Sequence, residues 1–85
     1  MKVKELIVAL QAVDGERLVV LQKDSEGNGY SPLAGIDDNC KYIGDTAYSG
    51  EVRIDKLTPE QIAEGFTDED TAIDGEAALV LFPIN

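Results

Sequence analysis

Val3, Leu6, Ile7, Leu10 and Val13 recur at the three-to-four spacing of one helix face, and Lys2, Lys4, Glu5 and Gln11 fill the other. The pattern predicts an amphipathic helix of about three turns, ended by Asp14-Gly15. Arg17 to Lys23 then reads as a strand that is apolar on both sides, with Leu18 and Val20 opposed to Val19 and Leu21. Ala77 to Ile84 has the same character, with Leu79 and Leu81 opposed to Val80 and Phe82. Strands of this kind are expected at the centre of a sheet, covered on both faces and beside one another. Pro83 is expected to mark where pairing stops.

The material between them is less regular. Tyr30 to Ile36 and Cys40 to Ile43 predict two short strands joined by a turn at Asp37-Asp38-Asn39. Glu51 to Asp55 is a further strand candidate. Thr58-Pro59-Glu60-Gln61 has the form of a helix start: a hydroxyl cap, proline at the first helical position, and Gln three residues after the cap. That helix stops near Gly65, and Thr67 to Glu76 follows as an acidic loop. The order predicts a single α+β domain over 1–85. The N-terminal helix packs on a small, mainly antiparallel sheet, and a short second helix precedes the C-terminal strand.

The face count leaves a gap. One helix covers one face of the sheet, while the second helix offers only Ile62, Ala63 and Phe66. The other face is expected to be closed either by loops carrying Tyr30, Tyr42 and Tyr48 or by a homodimer.

Eighty-five residues can build one modest core. The chain carries 17 acids against 7 bases, a net charge of −10. A balance this acidic argues against direct binding to nucleic acid or to anionic membranes and leaves basic partners or cations. Residues 1–44 hold seven acids and five bases, whereas 45–85 hold ten acids and two bases, so an acidic surface belongs to the second half. No segment reads as a signal peptide or a membrane span, and the single cysteine allows no intrachain disulfide. A cytoplasmic setting is therefore expected.

The absence of histidine removes Ser-His and Cys-His pairs, the usual general base and the commonest metal ligand, which disfavours an enzyme. Cys40 follows Asp37, Asp38 and Asn39, and carboxylates oppose thiolate formation, so it reads as a half-buried strand residue. Asp24 to Tyr30, DSEGNGY, has two readings. It is similar to the start of an EF-hand calcium loop: Asp24, Glu26 and Asn28 as ligands at the first, third and fifth positions, Gly29 at the sharp turn, and Tyr30 giving its carbonyl. It departs from that pattern in the Glu at the third position, in Gly35 where a bidentate Glu belongs, and in following a strand. The other reading is a β-hairpin turning through Asn28-Gly29. Lys23 and Ser31 would flank either as a polar ligand edge. The acidic stretch, with Glu60, Glu64, Asp68, Glu69, Asp70, Asp74 and Glu76, has the charge to imitate DNA phosphates before a basic groove, or simply to be solvated.

The succession of KVKELIVALQ, VVLQKDSEGNGYSPL, GFTDED and ALVLFPIN resembles a group of small bacteriophage-encoded proteins without an assigned function. VVLQKDSEGNGYSPL is the most specific part. The resemblance implies a phage accessory protein in a bacterial cytoplasm, acting on a host protein by binding and inhibition. Calcium or small-ligand binding at 23–31 and an assembly role through a dimer face are the alternatives.

Overall fold

The computed structural model describes residues 1–23 and 29–84. Helix α1 spans Val3–Gln11. Its first turn is closed by Glu5, whose carboxylate accepts from the Lys2 amide at 3.2 Å. The Met1 ammonium ties the start of the helix to the Leu33 carbonyl. Leu6, Ala9 and Val13 are half-buried, while Val3, Ile7 and Val8 on the same helix stay exposed.

Four strands follow: β1 (Leu18–Leu21), β2 (Leu33–Gly44), β3 (Gly50–Ile54) and β4 (Glu76–Pro83). They form one mixed sheet in the order β1-β4-β2-β3. β1 runs parallel to β4, and β4–β2 and β2–β3 are antiparallel. The fold is therefore α+β, with the two apolar strands adjacent as their sequences predict. Pro83 closes the β4 ladder opposite Leu33.

Three expectations are corrected. First, β1 is an edge strand; of the two apolar strands, β4 alone is interior. Val19 and Leu21 are 60% and 67% exposed, so two-sided apolar character in β1 does not signal two-sided cover. Second, β1 and β2 are not a hairpin, because β4 lies between them. The Asn28 of the proposed turn lies outside the described residues. Third, Asp37-Asp38-Asn39 is not a turn but an irregularity inside one 12-residue strand, where the β2–β4 register shifts between Asp37 and Cys40. Asn39 holds the strand straight on. Its amide side chain donates to the Lys56 carbonyl at 2.8 Å and accepts from the Lys56 N–H at 3.0 Å.

Helix α2 (Pro59–Ala63) begins as expected, with the Thr58 hydroxyl accepting from Gln61 N–H at 3.2 Å and the Gln61 side chain accepting from Thr58 N–H at 3.0 Å. A 3₁₀ turn occupies Asp68–Asp70 within the acidic segment. Among the described residues, buried side chains are confined to Cys40, Ala72, Ala78 and Leu79. So small a core leaves much of the apolar complement at the surface.

Candidate functional site

Alternation and register place Leu18, Val20, Val80, Tyr42 and Val52 on one face of the sheet. They line an open groove of about 650 Å³, bordered by Tyr48. No residue of α1 lines it, so the helix leaves this face uncovered. The loops close it only in part. Tyr42 lies against Gly50, where an added Cβ would meet the ring at 2.6 Å. Tyr30 and Tyr48 remain exposed instead of folding over the sheet. The Lys23 ammonium donates to the Tyr48 carbonyl and so ties the end of β1 to the β2–β3 connection.

At the other end of β1, Arg17 joins three strands. One guanidinium nitrogen donates to the carbonyls of Cys40 (3.1 Å) and Ala78 (3.0 Å), and another pairs with Asp55 at 3.1 Å. Asp55 also faces Lys41 at 3.9 Å. Cys40 sits beneath this junction, its thiol 3.2 Å from the Ala78 carbonyl. Burial pushes the thiol above its ordinary value of 9.0 and Asp37 adds to the push, against the opposing pull of Arg17. A thiol ionising later in the folded than in the unfolded chain contributes stability below the unfolded value, and loses it as pH rises through the folded value. Stability should therefore fall on the alkaline side. Labelling of Cys40 at pH 8 should run at least ~100-fold slower in the folded chain than in urea, because the thiol is both buried and protonated. Equal labelling rates would contradict this.

The predicted site residues fall into two groups. Asp24, Glu26 and Asn28 lie outside the described residues. Of their neighbours, Tyr30 projects into solvent, and Ser31 has its hydroxyl engaged between the Pro32 carbonyl (2.8 Å) and the Ile84 N–H (3.1 Å). Lys23 is engaged with Tyr48 as above. Among the described residues, no three His, Cys, Asp or Glu side chains gather into a metal-binding group.

The acidic residues form the second group. Glu60, Glu64, Asp68, Glu69, Asp70, Asp74 and Glu76 are all exposed. They stand on a segment pinned at both ends. Lys56 just before it exchanges two hydrogen bonds with Asn39 of β2, Glu76 begins β4, and between them buried Ala72 docks on β3 through its N–H to the Ile54 carbonyl at 3.2 Å. Asp70 serves the backbone by accepting from Thr67 N–H at 2.8 Å. None of the seven belongs to an ion pair among the described residues; those pairs are Arg17–Asp55, Lys41–Asp55 and Arg53–Glu51. No base occurs anywhere from 57 to 85.

Sequence reasoning missed the Arg17 junction and the groove. Both arise from residues far apart in the chain, and only the single base at the start of an apolar strand hinted at the first.

Fold and surface together define a small α+β domain with an open, mixed four-stranded sheet and an acidic flank. No family model, curated protein or solved structure matches the chain. No helix among the described residues is long and apolar enough to cross a membrane.

Proposed function

We propose that this chain is a non-enzymatic binding protein, a phage accessory protein of the bacterial cytoplasm whose acidic segment docks on a basic surface of a host protein and occupies it in place of DNA. The observation that carries this reading is the pinned platform from Glu60 to Glu76: seven exposed carboxylates with no neutralising base on the same stretch. Like charges gathered this way cost folding stability through self-repulsion and gain from an opposite surface, which also steers encounter. The reading predicts salt-sensitive capture. Pull-down from bacterial lysate at ~50 mM salt should recover a basic partner that is released by ~500 mM, as exposed charges are screened. Changing Glu64→Gln, Glu69→Gln and Asp74→Asn together should weaken binding at least ~10-fold with a melting temperature equal to or above that of the wild type, since self-repulsion is relieved. Asp70 is left intact because it caps Thr67. Recovery of no partner at low salt rejects the proposal.

A further inference from the structure

The two edges of the sheet differ. β3 is guarded: it carries the paired Glu51 and Arg53, and the Ile54–Thr71 bridge with Ala72 N–H covers its end. Edge charges and covering segments are the usual means of blocking strand addition. β1 has none of them. Its four residues, Leu18-Val19-Val20-Leu21, contain no charge, proline or bulge, and among the described residues they are paired on one side only.

The hydrogen-bond phase of β1 defines what its free edge offers. The Gln22 N–H points inward to the Leu81 carbonyl at 3.1 Å. By strand alternation Val20 also points its backbone groups at β4, and Val19 and Leu21 point theirs outward. These are the two residues of the strand whose side chains are most exposed.

We propose that β1 pairs antiparallel with β1 of a second copy about a two-fold axis through Val20, joining two sheets into one of eight strands. Such an axis keeps each face of the sheet on its own side, so even positions oppose even and odd oppose odd. Centring on Val20 sets Val19 opposite Leu21 of the partner copy, and Leu21 opposite Val19. All four outward N–H and C=O pairs are then satisfied, and the exposed side chains pack on each other. Centring on Val19 would set Leu21 against Arg17, which is already committed to Asp55.

Charge selects a second copy over an unrelated strand. Residues 1–23 hold four bases (Lys2, Lys4, Arg17, Lys23) and three acids (Glu5, Asp14, Glu16), a net of +1; the remainder holds three bases and fourteen acids, a net of −11. The open edge therefore lies in a segment without acidic excess, at the opposite end of the sheet from the strand that anchors the acidic platform. Two copies meet there with their like-charged flanks held apart. Val3, Ile7 and Val8 of α1 add to the exposed apolar surface of the same segment.

Light scattering and sedimentation of the whole chain should give twice the chain mass, with the dimer tightening as salt screens the residual repulsion. That is the reverse of the salt response of host binding, so the two proposals fail separately. Leu21→Lys should give a monomer with unchanged circular dichroism. Val20→Cys tests the register independently. A non-hydrogen-bonded pair across the axis brings its Cα atoms to about 4.5 Å, within disulfide reach. Mild oxidation should yield covalent dimer at least ~10-fold faster than for Leu18→Cys, which in this register lies opposite Gln22. A monomer at all concentrations and salts, or equal cross-linking of the two cysteine variants, overturns the proposal. So does a monomer whose β1 instead captures an unrelated extended peptide.

Discussion

Replacing Arg17 by Ala should cost about 3 kcal/mol of folding stability, the lower end of what breaking a buried pair costs, and lower the melting temperature by roughly 15 °C in a domain of this size. The side chains of Arg17 and Asp55 are only 19% and 12% exposed, so water replaces the lost partner poorly. The same change strips a charged donor from the Cys40 and Ala78 carbonyls, on the two strands that flank the register shift. Leaving such groups unpaired costs more than the bond itself contributes. Arg17→Lys should recover only part of the loss, because an ammonium cannot present the planar fork that spans three acceptors. Urea unfolding of the three proteins checks the order wild type, Lys, Ala. An Ala variant within ~0.5 kcal/mol of wild type, the range of an ordinary surface substitution, would show that the junction contributes nothing.

Gly50→Ala carries the second large effect. An added Cβ would stand 2.4 Å from the Ile43 carbonyl oxygen and 2.6 Å from the Tyr42 ring. The ring can turn aside, but the carbonyl belongs to the facing strand, where Ile43 pairs with Glu51 and Gly44 with Gly50. Either the β2–β3 ladder opens at its end or the backbone shifts, at a cost of roughly 2 kcal/mol. Tyr42 would also leave its position against the glycine, changing the floor of the groove. Gly15→Ala is the matched comparison. Nothing lies within 4 Å of a Cβ there, so that variant should be neutral or slightly stabilised through reduced freedom of the unfolded chain. Thermal melts of the two variants side by side test the contrast; similar melting temperatures would remove the steric argument.

The acidic platform was legible in the residue order. Thr58-Pro59-Glu60-Gln61 is a local cap, and local hydrogen bonds within four residues need no tertiary partner to be predictable. Asp37-Asp38-Asn39 was misread for the converse reason. Its composition favours a turn, yet Asn39 is held by Lys56, seventeen residues away, and the strand continues through a bulge. The Arg17 junction depends on separations of 23, 38 and 61 residues, which no short-range pattern reports.

By itself, the sequence determined the α+β class, the amphipathic first helix, the capped second helix, the adjacency of the two apolar strands and the acidic second half. Each of these follows from periodicity, capping chemistry or charge, which act over a few residues or over the whole chain at once. Only the tertiary structure decided that β1 lies at the edge and β4 at the centre, because an apolar strand reads the same whether a neighbour or an open face lies beside it. The insertion of β4 between β1 and β2 makes that choice. The same insertion rules out a β1–β2 hairpin, and leaves Val19 and Leu21 exposed on the edge strand away from the acidic platform.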